Sequence, residues 1–185
     1  MTEDERLDDL QLCGMRILQK TKGFRFGMDA VLLSDFAATA ERSRVADFGT
    51  GTGILPLLML GRGYGAEFHA LELQPEMADM AQRTMQLNGV ADRIHVYCAS
   101  VEQAPSLLGH DTMDAVVCNP PYGTPGTTMT NPSEALRLAR HQGEEGLLPW
   151  YRAARLVLKG HGRFYMVYPA QRLPEALQDL RTARL

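Results

Sequence analysis

The sequence predicts an α/β fold built on a doubly wound, mostly parallel sheet. Five short apolar segments with strand character recur along the chain, and helix-like segments separate most of them. This alternation is the pattern of right-handed crossovers between parallel strands. With 185 residues, 45% of them hydrophobic and 22% charged, the chain is long enough for one globular unit with a substantial core.

Two elements precede the first predicted strand of the sheet. The stretch 10–19 alternates around Cys13-Gly14 like a short hairpin, and the loop 23–27 follows it. A helix is then predicted from Asp29 to about residue 38. Its apolar residues form the side that should face the core: Val31, Leu32, Leu33 and Phe36.

The predicted strands of the sheet are 45–48, 67–73, 94–98, 113–118 and 162–167, and the later predicted helices are 54–60, 75–88, 146–158 and 172–182. Ligands bind at the carboxyl ends of the strands in such a sheet. Four polar residues at or just beyond those ends should therefore share one site: Asp47, Glu72, Ser100 and Asn119. The polar stretch 123–143 is too long for a simple connection, which predicts a substrate-facing loop.

A glycine loop follows the first of these strands. It carries Gly49, Thr50, Gly51 and Gly53, and it leads directly into a helix. Glycines let the backbone approach a ligand closely, and the helix N-terminus offers unpaired amides and a partial positive charge. Glu72 lies 19 residues after Gly53, where its carboxylate can accept hydrogen bonds from both hydroxyls of a ribose.

The loop does not fit the G-x-G-x-x-G or G-x-G-x-x-A pattern of nicotinamide dinucleotide enzymes. The sixth position is Ile54 when the pattern starts at Gly49, and Pro56 when it starts at Gly51. Asp47 suits a cofactor with a cationic amino acid end, because a carboxylate repels a pyrophosphate. A turn that merely packs a strand against a helix is the alternative interpretation.

The tetrapeptide Asn119-Pro120-Pro121-Tyr122 directly follows the fourth strand. The Asn119 side-chain oxygen and the Pro120 carbonyl can each accept a hydrogen bond from an exocyclic amine, and Tyr122 can stack on a flat base. The motif therefore predicts an amino-methyltransferase. The alternative is a rigid Pro-Pro turn in which Asn119 only caps the strand.

The distribution of charge restricts where RNA could bind. The net charge is −3, but five of the acids lie within residues 1–9 and the rest of the chain is nearly neutral. Any RNA contact must therefore come from local patches, for which the candidates are Lys20, Lys22, Arg137, Arg140 and His141. An ordinary solvated surface is the alternative for these residues.

No apolar run approaches the length of a membrane span, and the acidic start is unlike a signal peptide. The three cysteines, Cys13, Cys98 and Cys118, are widely spaced, without metal-ligand spacing to other Cys or His residues. Their positions predict reduced, mostly buried thiols. We expect a cytoplasmic protein that binds neither a membrane nor a metal.

Over residues 20–182 the chain resembles class I S-adenosylmethionine-dependent methyltransferases, and more narrowly the bacterial tRNA(Val) adenine-N6 methyltransferase family. The residues that carry the resemblance are 23–33, 47–53, 119–122 and 139–141. The resemblance implies a Rossmann-like fold with strand order 3-2-1-4-5, and S-adenosyl-L-methionine as cofactor. It also implies that residues 1–40 pack on the cofactor site of a methyltransferase domain formed by residues 41–185, and that the substrate is tRNA.

By the same resemblance, the loop from Asp47 to Gly53 holds the methionine end of the cofactor, Glu72 holds its ribose, and residues 119–122 hold the target base. Other residues implied to bind the cofactor are Phe24, Arg25, Asp29, Leu73, Ser100, Val101 and Asn119.

The chain departs from the family pattern at two points. Ser100 stands where the family usually has an acidic residue that meets the cofactor adenine, and a hydroxyl accepts more weakly than a carboxylate. The usual C-terminal hairpin of strands six and seven has no counterpart, so we expect an open edge at strand five and self-association through it.

The alternative methyl acceptors for the same cofactor are a release-factor glutamine, a guanine N2 amine of ribosomal RNA and an adenine of DNA. A catalytically silent cofactor-binding module is the alternative of a different class.

Overall fold

The structure, a computed structural model, describes residues 2–22, 27–120 and 146–185. It begins with an antiparallel hairpin of β1 (Glu5–Asp9) and β2 (Arg16–Lys20), in which Leu7 pairs with Leu18. The predicted hairpin is confirmed, although its first strand begins earlier than expected. Residues 11–14 form the turn, with positive φ angles at Gln11, Cys13 and Gly14.

A five-stranded parallel sheet forms the centre of the molecule. Its strands are β3 (Arg44–Phe48), β4 (Glu67–Glu72), β5 (Ile94–Cys98), β6 (Met113–Cys118) and β7 (Leu158–Met166). Their order is β5-β4-β3-β6-β7, and every neighbouring pair is parallel. Counted from β3 as the first strand, this is the predicted order 3-2-1-4-5, which is confirmed.

Six α-helices lie in the described ranges. They are α1 (Met28–Phe36), α2 (Ile54–Gly61), α3 (Pro75–Leu87), α4 (Ala104–Leu108), α5 (Leu148–Val157) and α6 (Leu173–Ala183). One apolar core joins the sheet to α1, α2 and α3, and a second joins the opposite face to α4, α5 and α6. Successive strand residues point to opposite faces, so Val45 enters the first core and Ala46 the second.

The hairpin packs on α3 and shares the first core. Arg83 on α3 forms an ion pair with Glu5 at 2.5 Å, and the backbone amide of Leu18 donates a hydrogen bond to the Thr84 hydroxyl at 3.2 Å. Ile17 is fully buried among the residues of the first core. These contacts join the N-terminal segment to α3 and to the first core.

Several expectations about individual elements were wrong. Helix α4 and the 3₁₀ turn Val101–Gln103 were not predicted, because neither is long enough to show helical periodicity. Strand β7 begins at residue 158 instead of 162, with an irregular register between Met113 and Ala115 on its neighbour β6. Cys13 and Cys98 are exposed, and Cys118 alone among the three cysteines is buried.

The predicted apolar side of α1 was also partly wrong. Ala30 and Leu33 are buried toward the core, whereas Leu32 and Phe36 are exposed. Helix α1 packs on α2, and Leu32 and Phe36 remain outside the core.

Candidate active site

The carboxyl ends of β3, β4 and β6 meet at one edge of the sheet. Phe48 at the end of β3 pairs with Leu71 on one side and with Cys118 on the other, so the chain leaves these strands at a common level. Strand β3 lies at the point where the strand order reverses, which is where sheets of this type bind ligands. The edge brings together the ends of three strands at Asp47, Glu72 and Asn119.

The glycine loop between β3 and α2 is fastened to the end of β4. The backbone amides of Gly49 and Thr50 both donate to the Leu71 carbonyl at 2.9 Å, and the amide of Gly51 donates to Glu72 Oε2 at 2.9 Å. Gly51 has a φ of +60°, and no heavy atom of the described residues beyond its chain neighbours lies within 4 Å of the position that a Cβ would take. The left-handed conformation favours glycine there, and the open space admits a ligand against the backbone.

Glu72 is a buried carboxylate with both oxygens held by backbone amides. Oε1 accepts from the amide of Gln74 at 2.9 Å, and Oε2 accepts from Gly51. Only 1% of the residue is exposed. Each oxygen of the Glu72 carboxylate thus accepts a hydrogen bond from a backbone amide, and its contact with a ribose stays a prediction.

Asp47 is fully buried, and neither of its carboxylate oxygens has a hydrogen-bond partner within the described ranges. Burial raises the pKa of Asp47 to about 7; the nearby Thr50 hydroxyl opposes this rise in part, and the negative charge of Glu72 adds to it. The hydroxyl of Thr50 is also buried without a partner there. A buried carboxylate is costly when it is ionised without a partner, and a cation beside it would stabilise the ionised form. The ammonium group of an amino acid cofactor is such a cation.

Ser100 has a local structural role at the predicted adenine end of the site. Its Oγ accepts from the amide of Glu102 at 3.3 Å, and Gln103 Oε1 accepts from the amide of Ser100 at 3.0 Å, which forms a capping box for the 3₁₀ turn. Val101 is buried, whereas Leu73 is 36% exposed. Leu73 and Val101 follow the ends of β4 and β5, where apolar side chains suit the flat faces of a purine.

Asn119 and Pro120 lie directly after β6, half-buried and buried respectively. The amide of Val167 donates to the Cys118 carbonyl at 3.3 Å, which ties the end of β7 to the start of this segment. The rest of the motif lies outside the described residues, as do five more predicted site residues. The seven are Pro121, Tyr122, Phe24, Arg25, Arg137, Arg140 and His141.

The remaining predicted residues have different surroundings. Asp29 is exposed in the first turn of α1, and Gly27, not Asp29, is the residue before that helix. Lys20 forms ion pairs with Asp4 and Glu76, so its charge is partly neutralised within the protein, whereas Lys22 is exposed. Their binding roles stay predictions.

The sequence did not identify two features of this edge. Trp150 of α5 lies under the glycine loop, so that a Cβ on Gly49 would come within 2.9 Å of its ring. Beyond β7, the guanidinium of Arg172 lies 5.3 Å from the centre of the Tyr168 ring, in a cation–π contact. No sequence motif joins the two members of either pair.

Comparison with known proteins identifies the family of the chain. The family model of the methyltransferase small domain matches residues 27–146. The chain belongs to this family. The match confirms the predicted class, an S-adenosylmethionine-dependent methyltransferase of Rossmann-like fold.

Curated relatives of this methyltransferase small domain protein are named tRNA1(Val) (adenine(37)-N6)-methyltransferase. The one from Pasteurella multocida is 30% identical over 148 residues, which are 78% of this chain and 60% of the relative. The one from Tolumonas auensis is 29% identical over 178 residues, which are 95% of this chain and 68% of the relative. The chain thus spans roughly two thirds of the length of these relatives or slightly less.

Solved structures show the same fold. Pyrococcus horikoshii TYW2 in complex with MeSAdo has a TM-score of 0.67 at 15% identity, covering 98% of this chain and 60% of that one. The ribosomal protein L11 methylase from Lactobacillus delbrueckii has a TM-score of 0.61 at 21% identity, covering 86% of this chain and 70% of that one. Within the described ranges, no helix is long and apolar enough to cross a membrane, and no cluster of His, Cys, Asp and Glu could hold a metal ion.

Proposed function

We propose that this chain transfers a methyl group from S-adenosyl-L-methionine to the exocyclic N6 amine of an adenine in tRNA. The observation that carries the proposal is the position of Asn119 and Pro120 directly after β6, at the same edge as Asp47 and Glu72. The names of the curated relatives support the choice of an adenine in tRNA.

The described residues fit this cofactor. Within the described ranges, the buried carboxylate of Asp47 has no hydrogen-bond partner and would face the ammonium of the methionine end, and the loop at Gly51 leaves open space beside the backbone. Glu72 would accept from the ribose hydroxyls, while Leu73 and Val101 would flank the adenine. When bound, the cofactor supplies an electrophilic methyl group on a sulfonium.

Asn119 and Pro120 would act on the amine of the target base. The lone pair of that nitrogen is delocalised into the ring, so the free amine is a poor nucleophile. The Asn119 side-chain oxygen and the Pro120 carbonyl would each accept one of its N–H bonds, which orients the amine and favours a more tetrahedral nitrogen. The amine nitrogen would take the methyl group, whose bond to the sulfonium sulfur would break to leave a neutral thioether, and the nitrogen would lose one N–H proton to solvent. Positioning supplies much of the acceleration.

The tRNA assignment depends on local surface charge, because the whole chain carries a net charge of −3. Lys22 is exposed at the end of the hairpin and could contact a phosphate. The proposed contacts of Arg137, Arg140 and His141, the stacking of Tyr122 and a cytoplasmic location stay predictions.

The experiment that tests the proposal measures methyl transfer from labelled S-adenosylmethionine to unmodified tRNA, a release factor and duplex DNA in parallel. Nucleoside digestion and mass detection identify the product. N6-methyladenosine from tRNA alone supports the proposal. Label in the release factor or in DNA would contradict the tRNA substrate but support the cofactor.

The variant Asn119→Ala separates chemistry from binding. We expect turnover to be lost while calorimetry still shows cofactor binding, because Asn119 acts on the base. Retained turnover in this variant would remove Asn119 from the mechanism. Cofactor binding by the wild type without transfer to any of the three substrates would favour a silent module.

A further inference from the structure

A carboxylate lies at the adenine end of the proposed cofactor site, close to Ser100. Strand β5 ends beside Glu72, because the amide of Ala99 donates to the Glu72 carbonyl at 2.9 Å. The chain then passes through Ser100 into the 3₁₀ turn Val101–Gln103, which carries Glu102. Glu102 therefore follows, by three residues, a backbone group that is bonded to the proposed ribose-binding residue.

The hydroxyl of Ser100 is engaged with Glu102 in both directions. Ser100 Oγ donates to Glu102 Oε2 at 3.3 Å, and it accepts from the Glu102 amide at 3.3 Å. A hydroxyl has a single proton to donate, and Ser100 gives it to this carboxylate. The two bonds keep the Glu102 carboxylate beside Ser100.

The other polar groups of this turn are used within the turn. Gln103 Oε1 accepts from the Ser100 amide at 3.0 Å, and the Ser100 carbonyl accepts from the Gln103 amide at 3.0 Å. Glu102 is exposed, and within the described ranges no Lys, Arg or His forms an ion pair with it. The carboxylate of Glu102 is therefore the strongest acceptor that this turn can offer to a ligand.

We propose that Glu102 selects the adenine of the cofactor by accepting a hydrogen bond from its 6-amino group, and that Ser100 positions this carboxylate. The inference rests on the proposed function, which supplies the cofactor. The acceptor that is weakened by a hydroxyl at position 100 is thus replaced by a carboxylate two residues later.

The chemistry of the purine fits this assignment. The 6-amino group of adenine is a donor, and a bond from an amine to a carboxylate is stronger than a bond to a neutral oxygen. Val101 is buried and Leu73 is partly exposed, so that apolar side chains would flank the ring while Glu102 meets its polar edge. A purine without the amino group would leave the carboxylate without this donor. Because Glu102 is exposed to water, we expect a preference for adenine of about tenfold, the lower end for a hydrogen bond to a charged group.

Calorimetry tests the proposal without turnover. The ligands are S-adenosylhomocysteine and its analogue with hydrogen in place of the 6-amino group, which differ only in this donor. The wild type should prefer the first ligand by about tenfold, and Glu102→Ala should lose the preference. Glu102→Gln should keep a smaller one, because an amide oxygen accepts more weakly than a carboxylate. Glu41→Ala, at an exposed glutamate between α1 and β3, is the control and should keep the wild-type preference.

The variant Ser100→Ala distinguishes the two side chains. If Ser100 positions Glu102, this variant should have a preference between those of the wild type and Glu102→Ala, because the carboxylate remains but is less fixed. Loss of the preference in Ser100→Ala together with its retention in Glu102→Ala would make Ser100 the acceptor and overturn the proposal.

The wild type separates failure of this inference from failure of the proposed function. If it binds both ligands equally well, or if Glu102→Ala keeps the wild-type preference, the role of Glu102 is overturned while the cofactor is retained. If the wild type binds neither ligand, the proposed cofactor is overturned, and the inference about Glu102 with it.

Discussion

Glu72 accepts a hydrogen bond from the backbone amide of Gly51 at 2.9 Å, and this bond ties the glycine loop to the end of β4. Its other oxygen holds the amide of Gln74 at 2.9 Å. One carboxylate thus fixes two backbone segments of the site while it faces the proposed ribose position. The geometry of the loop and the affinity for the cofactor should therefore depend on the same side chain.

We expect Glu72→Gln to weaken cofactor binding by roughly 10- to 100-fold, the range for a lost charge-assisted hydrogen bond. A glutamine keeps the shape but has one acceptor oxygen, so its NH₂ group would face Gln74 or Gly51, whose amides are both donors. Calorimetry with S-adenosylmethionine measures the change. Glu41→Gln, at an exposed acid in the segment between α1 and β3, is the control and should bind normally. Equal affinities in the two variants would contradict the assigned role.

Cofactor affinity should rise with pH through neutrality. The pKa of Asp47 is raised to about 7 because the carboxyl is buried, and a cationic ammonium beside it would favour the charged form. Binding therefore removes a proton from Asp47 below about pH 7, and the affinity levels off above it. Calorimetry in buffers with different ionisation enthalpies measures this proton release. Asp47→Asn should bind more weakly, and any proton release that persists in it would assign the effect to another group.

The same carboxyl should make the ligand-free protein less stable as pH rises. The folded-state pKa of Asp47, about 7, exceeds the unfolded value of 3.8, so its contribution is fully present below pH 3.8 and is lost as pH rises through 7. The difference of about three pKa units corresponds to a free energy on the order of 4 kcal/mol. Asp47→Asn, which cannot ionise, should lose none of this contribution.

The free energy of unfolding must be compared between the wild type and Asp47→Asn at each pH, because His69 changes its pH dependence in the opposite direction. Burial lowers the pKa of His69 to about 4, which makes the folded state more stable as pH rises from there to about 6.5. This effect is common to the wild type and Asp47→Asn and cancels between them. The free energy of unfolding of the variant, relative to the wild type, should increase between about pH 4 and pH 7. A difference that is flat in this range would show that Asp47 is ionised in the ligand-free fold.

Sequence patterns were sufficient for the sheet and for the edge at which the site lies. Buried parallel strands appear as short apolar runs, and the residues that follow them must share one edge. Asp47, Glu72 and Asn119 could therefore be assigned to a common site from their positions alone. The hydrogen bond from Gly51 to Glu72 could not, because the motif identifies a glycine that tolerates φ of +60° but not the atom to which its amide points.

Other features depend on contacts that a pattern does not contain. The apolar residues of α1 were identified, but periodicity does not tell which of them another element covers, and Leu32 and Phe36 proved to be exposed. The position of Trp150 beneath Gly49 joins two segments that are far apart in sequence and have no motif in common. Such packing becomes visible only when the helices are placed on the sheet.

The contact between Trp150 and Gly49 gives the last prediction. Gly49 has a φ of +72°, and a Cβ at this position would lie 2.9 Å from the Trp150 ring. Gly49→Ala therefore adds overpacking, which costs typically 1–3 kcal/mol, to the strain of an L-residue with positive φ, about 1–2 kcal/mol. Gly63→Ala is the matched control, since Gly63 has a φ of +80° and, in the part of the chain that the structure describes, no heavy atom beyond its chain neighbours lies within 4 Å of its Cβ position.

Urea unfolding of both variants separates the two costs. We expect Gly63→Ala to show the loss from backbone strain alone and Gly49→Ala to lose more, by roughly 1–3 kcal/mol. Gly49→Ala should also bind the cofactor more weakly, because the amides of Gly49 and Thr50 share the Leu71 carbonyl and hold the loop in place. Equal losses of unfolding free energy in the two variants would mean that the Trp150 ring moves aside freely. In that case it would not support the glycine loop.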